Sequence, residues 1–228
     1  GDTADGTSPA ARIAALVTAL QAEANAPGDR NLAQASVTAA QAVATSLSGA
    51  SQTVQTVRND TDAAIAASVG RLNDLLGQFA VVNSTVVRQT IAGEAVTDAL
   101  DQRDALLGQI AQEAGVTVTN RSTPDVALYT DGGVPLFDKT ARTVSFTPSS
   151  ALSPGVVGNP VYVDGVPVTG TNATMPLHTG NLAGLSTLRD VTTVTYQAQL
   201  DEIARGLVEA FAETDQLGGG GPARAGLF

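Results

Sequence analysis

Between positions 29 and 90 the chain contains no proline, and glycine interrupts it only at 49, 70 and 77. Proline ends helices because it has no backbone donor and its ring meets the preceding turn. A stretch this long without one, rich in Ala, Gln, Val and Leu, predicts one very long helix or two nearly collinear ones broken near Gly49. At 1.5 Å per residue that is roughly 90 Å of rod, which cannot bury an apolar face on its own. Ile65, Val69, Leu72, Leu76, Phe79, Asn83 and Val86 fall on alternating four- and three-residue steps, the spacing of a coiled-coil seam that needs a partner helix. Leu185, Leu188, Tyr196, Leu200, Ile203, Leu207 and Phe211 nearly repeat that spacing, so the two seams are expected to pair. Asn83 on the seam either fixes helix register or faces solvent at the bundle edge.

Two further signals frame this rod. Ser8 followed by Pro9 reads as an N-cap with proline in the first turn, and Ile13, Leu16, Val17 and Leu20 form a stripe up to a stop at 25–28. At the other end, Leu100, Leu107, Ile110, Ala111 and Ala114 recur at helical steps until Gly115, after which Val116 and Val118 alternate with threonines. The period switches from 3.6 to 2, so a helix hands over to a strand at Gly115. Residues 115–183 hold most of the prolines, many β-branched residues and turn signals at 131–133, 153–155 and 164–165. Strands are expected at 116–119, 126–130, 134–137, 143–147, 161–163 and 166–169, with the uncharged stretch 148–160 as an exposed arm. The expected fold is α+β: a long antiparallel, coiled-coil-like helical bundle from 8–114 and 184–216, an all-β domain at 115–183 inserted between the helical arms, and a flexible segment at 217–228.

Composition narrows the function. Twelve basic against twenty-two acidic residues give a net charge of −10, which repels nucleic acid and anionic membrane. The longest uncharged run, 31–57, is studded with Gln, Ser, Thr and Asn and makes a poor bilayer span. Cysteine is absent, so neither a disulfide framework nor thiolate chemistry is available. Aromatic residues are 4% of the chain, and the Ala, Val and Leu that dominate its apolar content suit slender helical packing better than deep pockets. The first residues show neither a basic nor an apolar signal region, and both ends read as cut from something longer.

Candidate chemistry is sparse. His178 is the single histidine and reads as structural or solvent-facing, since a nucleophile needs a positioned base. No metal-binding spacing is present, and Asp60 and Asp62 read as a solvated face of the long helix rather than the start of a calcium loop. Gly218–Gly221 lacks the Gly-Lys-Ser/Thr ending of a phosphate cradle. Asp101, Arg103 and Asp104 resemble an acid/base set but are expected to brace the helix-to-strand joint, with Arg189 and Asp190 as cross-partners. No catalytic, cofactor-binding or metal-binding residue is assigned, and the chain is not expected to be an enzyme.

Four stretches carry a resemblance. They are Ser8-Pro-Ala-Ala-Arg-Ile-Ala-Ala-Leu with Ala39-Ala-Gln-Ala-Val-Ala; Arg58-Asn-Asp-Thr-Asp-Ala-Ala-Ile followed by Arg71-Leu-Asn-Asp-Leu-Leu; Asp98-Ala-Leu-Asp-Gln-Arg-Asp-Ala-Leu-Leu with Gly115-Val-Thr-Val; and Gly180-Asn-Leu-Ala-Gly-Leu-Ser-Thr-Leu-Arg-Asp190 with the helix that follows. Taken in order, they resemble the hook-associated protein 1 family of the bacterial flagellum, the hook-filament junction proteins. The block around Asp101-Gln-Arg-Asp104 is the most specific. The resemblance implies an extracellular structural subunit exported through the flagellar type III channel without a cleaved signal. It also implies an adaptor that joins hook to filament and that filament assembly requires. Expected partners are copies of itself in a ring, the hook protein, a second junction protein and an export chaperone, reached through terminal segments outside this piece, which alone is expected to be monomeric. The alternatives are another axial subunit, flagellin-like or of the hook or rod, and a β-domain adhesin or binding module on a helical stalk.

Overall fold

The computed structural model describes residues 6–121, 124–213 and 226–228. Helix α1 spans Pro9–Asn25, and Ser8 caps it by accepting the Ala11 amide at 3.3 Å, with proline in the first turn where a missing donor costs nothing. Asp29 accepts the Asn31 amide at 2.8 Å at the entrance to α2, Arg30–Ala92. This helix is continuous through Gly49; of the two expected forms, the unbroken one is found. Gly93, at φ 72°, ends it in the left-handed conformation that glycine adopts without strain, and α3 follows at Thr97–Glu113.

Four antiparallel strands come next as a meander: β1 Val116–Asn120, β2 Val126–Thr130, β3 Pro135–Asp138 and β4 Thr140–Ala141. A second sheet holds β5 Val144–Ser145, β6 Tyr162–Val163 and β7 Val166–Pro167. Its strands are shorter than the alternation predicts. Pro148, Pro160 and Pro167 cannot donate to a ladder, and the backbone of Val144 is met from a helix instead. Asn73 of α2 gives its amide to the Val144 carbonyl (2.8 Å) and accepts the Val144 amide (3.0 Å). The chain returns through α4, Asn181–Thr187, a single π-helical turn at Leu188–Thr192, and α5, Thr193–Ala210.

Contacts divide the protein into two compact units, one of residues up to Thr56 with those from Thr195 onward, the other Val57–Val194. In the second unit Ile65, Val69, Leu72, Leu76, Phe79 and Val82 of α2 share one core with Leu106 and Ile110 of α3, with the strand residues Val126, Leu128, Leu136, Phe137, Val144 and Val163, and with Leu182 of α4. Phe79 and Phe137 meet edge to face at 5.1 Å. Both sheets therefore pack into the helices' own core, and the packing boundaries fall at 56/57 and 194/195 rather than at 115 and 183. In the first unit Leu16, Ala40, Val43 and Leu47 form the core, with Leu200, Ala204, Leu207, Phe211 and Phe228 against it.

The expected pairing of the two seams is corrected by these cores. The α2 seam from Ile65 to Val82 packs on α3, the sheets and α4. The inward face of α5 runs through Thr193, Gln197, Leu200, Ala204, Leu207 and Phe211 and packs on earlier parts of the chain. Tyr196 (56% exposed) and Ile203 (41%) point out. Leu200, Leu207 and Phe211 of the predicted face are inward as expected; only at 196 and 203 does the buried position fall one residue later, on Gln197 and Ala204. Gln197 is buried because Ser51 donates to its carbonyl oxygen at 3.0 Å and its amide donates to Asp201 at 2.8 Å. The expected flexible segment at 217–228 lies outside the described residues except for 226–228, whose Phe228 ring meets Phe211 edge to face at 5.4 Å.

Candidate functional site

Stepping the α2 seam back from Ile65 by three and then four residues reaches Asp62 and Arg58, so helical geometry sends a carboxylate and a guanidinium to the buried face. Both are buried, Arg58 at 1% exposure and Asp62 at 4%. The expectation of a solvated face at Asp60 and Asp62 is thus half corrected: Asp60 is exposed and Asp62 is not. An unpaired charge there would cost several kcal/mol, and each is met by a dense set of partners.

Arg58 is held by carbonyls. Its Nε donates to the Arg189 carbonyl at 3.2 Å, and one Nη donates to Leu152 (3.2 Å) and Ser153 (3.0 Å). The other Nη donates to Val156. The stretch 148–160, expected as an exposed arm, is exposed over most of its length, but Leu152 and Gly158 are buried and its backbone is pinned across this guanidinium. The π-helical turn inserts one extra residue into the helical ladder between α4 and α5, and the Thr193 amide reaches back to the Leu188 carbonyl. At this turn Arg189 points inward and is 1% exposed. Its guanidinium donates to Asp62 Oδ1 at 2.5 Å, to both oxygens of Asp190 at 3.0 and 2.7 Å, and to the Asn159 carbonyl at 2.9 Å. It lies 5.7 Å from the centre of the Phe146 ring, within the range of a cation–π contact.

The carboxylates are saturated as well. Asp62 accepts the Ser149 amide at 2.8 Å, and Asp190 accepts the Gly158 amide at 3.0 Å. A Cβ on Gly158 would stand 2.3 Å from the Arg189 guanidinium carbon, so this close approach requires glycine. Burial pulls the Arg189 pKa down, but the bonds to Asp190 and Asp62 outweigh it and hold it above its ordinary value. Two arginines and two aspartates balance in charge and spend most of their hydrogen-bonding capacity on one another and on the backbone of the loop. The arrangement clamps the loop, the π-helical turn and α2 together.

The Gly115 joint is braced by other groups than those expected. Its amide donates to the Thr179 carbonyl at 3.0 Å, and a Cβ there would collide with Asp131 and Thr179. Asp131 accepts the amides of His178 (3.1 Å) and Thr179 (2.9 Å); burial raises its pKa less than these bonds lower it. Just before the joint Glu113 takes Arg71 Nε at 2.8 Å and Asn181 Nδ2 at 3.3 Å, and Ser68 Oγ as well. Burial alone would raise the Glu113 pKa, yet Arg71, Ser68 and Asn181 together keep it below the ordinary value.

Arg103 points to the far end of this unit. It donates to the Pro124 carbonyl at 2.9 Å and to Asn83 Oδ1 at 3.4 Å, and Asn83 in turn donates to Asp125 at 2.7 Å. Asn83 is buried and joined to Asp125 and to α3, rather than to the returning helix α5. Asp101 and Asp104 are exposed and form no ion pair among the described residues. Arg189 and Asp190 pair with each other and with Asp62, so the expected cross-pairing with Asp101, Arg103 and Asp104 is not made. His178 is exposed, with Nδ1 3.7 Å from Asp131. Among the described residues no group of three or more His, Cys, Asp or Glu gathers to hold a metal ion, and no helix is long and apolar enough to cross a membrane.

Long helices, small antiparallel sheets sharing their core and an interior ionic clamp without open coordination define a helical structural domain. Residues 3–226 match the family described as the flagellar hook-associated protein FlgK helical domain, and the chain belongs to that family. It is similar to flagellar hook-associated protein 1 of Escherichia coli strain K12, 32% identical over 161 residues that cover 68% of this chain and 28% of that protein. Flagellar hook-associated protein 1 of Salmonella typhimurium is 32% identical over 154 residues, 65% of this chain and 27% of that one. The chain thus spans under a third of the length of these relatives. The flagellar hook junction protein FlgK from Burkholderia pseudomallei shares the fold, with a TM-score of 0.70 at 23% identity over 91% of this chain and 37% of that structure.

Proposed function

We propose that the chain is the helical part of an extracellular flagellar subunit that acts as the adaptor between hook and filament. Family membership across residues 3–226 carries this reading, together with the relatives' being hook-associated and hook junction proteins. The protein works by mechanics rather than catalysis. In α2 each amide bonds a carbonyl one turn away along the axis, so axial load is shared over 63 residues. The buried clamp fixes the loop at 149–159 and the π-helical turn to that helix, where surface contacts alone would yield. Its partners in this reading are further copies arranged in a ring, the hook subunit, a second junction protein and an export chaperone, and it reaches the cell exterior through the flagellar type III channel.

The adhesin reading is less well supported, because the strands bury Leu128, Leu136 and Phe137 in the helices' core instead of forming a displayed body. A chromosomal deletion separates the two. A junction subunit, when lost, leaves filament subunits exported but unpolymerised in the medium and abolishes swimming; an adhesin, when lost, reduces attachment and leaves swimming intact.

A further inference from the structure

Alongside α2 of the second unit runs an open groove of about 530 Å³, lined by Ser84, Val87, Arg88, Ile91 and Lys139 and by Asp125, whose carboxylate is already engaged by Arg121 and Asn83. Ile91 is 78% exposed, a large apolar side chain in water beside two cations. Neither Arg88 nor Lys139 has an ion-pair partner among the described residues; Arg88 donates only to Thr85, at 3.4 Å. Lys139 holds φ 62°, a left-handed conformation that a side chain other than Gly, Asn or Asp rarely adopts. In a chain of net charge −10 with twelve basic residues, two unpaired cations beside an apolar strip are unusual.

The complement lies on the same protein. Asp101 and Asp104 stand on the exposed face of α3 with no ion pair, and Asp98 precedes them one turn earlier. Asp98 is accounted for by the helix N-terminus, whose dipole favours an anion; Asp101 and Asp104 lie beyond its reach. We infer that the Arg88–Ile91–Lys139 groove receives the Asp101–Asp104 face of α3 from a second copy of the chain. The cations meet the carboxylates and Ile91 leaves water, so the contact is steered by charge and weakened by salt. The inference rests on the reading of the chain as an assembling subunit and names the faces by which copies meet.

The absence of native cysteine allows a direct test. Ser84→Cys, in the groove, and Gln102→Cys, between the two aspartates, are mixed as separate proteins with a short bis-maleimide cross-linker, with Gln52→Cys, exposed elsewhere on α2, as the control. Mixed Ser84→Cys/Gln102→Cys dimers are expected at several times the yield of either protein with the control. High salt and Arg88→Glu should each reduce that yield several-fold, and Asp104→Arg in the partner should restore it in the Arg88→Glu background. Equal yields with the control would overturn the proposal. If the cross-link forms while a deletion strain still builds normal filaments, the junction reading fails and the copy-to-copy contact stands. If the deletion strain lacks filaments but no specific cross-link forms, only the contact fails.

Discussion

Arg189 is central to the second unit because it is the cation paired with both Asp62 and Asp190. Replacing it with leucine leaves two buried carboxylates without their cation, and breaking a buried pair this way costs about 3–5 kcal/mol. Urea unfolding of Arg189→Leu should show that loss, whereas Arg205→Leu, whose partners Glu202 and Glu209 are exposed, should lie within about 1 kcal/mol of wild type. Gly158→Ala tests the clamp from the loop side. Its added methyl meets the Arg189 guanidinium, and overpacking of this kind costs about 1–3 kcal/mol, read as a lower urea midpoint. Titration adds an independent check. Glu113 and Asp131 have pKa values below the ordinary 4.5 and 3.8, so the folded state binds fewer protons there than the unfolded chain. Their stabilisation is complete above those ordinary values and is lost as pH falls through the lowered ones. The urea midpoint should be flat from neutrality down to about pH 5 and fall below pH 4.5, less steeply in Glu113→Gln.

At the scale of elements, the continuity of α2 is open to a simple substitution. A Cβ at Gly49 meets nothing within 4 Å, so Gly49→Ala in an unbroken helix should stabilise the protein by about 1 kcal/mol; a kinked or broken helix at this point would lose stability instead. The helices were legible from the sequence because Ser8-Pro9 and the proline-free run act locally on the backbone. The buried clamp was not, because a charged residue on a helix is ordinarily solvated, and only the extension of the seam by three and four residues marks Arg58 and Asp62 as inward. The partners of Arg58 are backbone carbonyls of a loop nearly a hundred residues away, which have no signature in side-chain identity. Two positions of α5, 196 and 203, were misassigned for a related reason. A small alanine and a hydrogen-bonded glutamine fill a narrow helix interface better than Tyr196 and Ile203 do, although hydrophobicity ranks them lower. The π-helical turn likewise leaves no mark in the apolar period, yet it aims Arg189 at the clamp.

At the scale of the whole molecule, the account joins a family assignment to a mechanical interior. The ionic groups of the clamp are used up in holding helix, turn and loop together, while Arg88, Lys139, Asp101 and Asp104 are among the exposed charged groups with no ion pair among the described residues and are the ones the proposed copy-to-copy contact uses. Asp101, Arg103 and Asp104, adjacent in sequence, thereby divide between two tasks: Arg103 ties α3 to the β1–β2 turn, while the two aspartates remain available to a neighbour. Electron microscopy of cells lacking this protein, before and after complementation with the whole gene, tests the central claim most directly. The account predicts hooks that end bare in the deletion strain and carry filaments again on complementation; filaments of normal length on the deletion strain's hooks would contradict it.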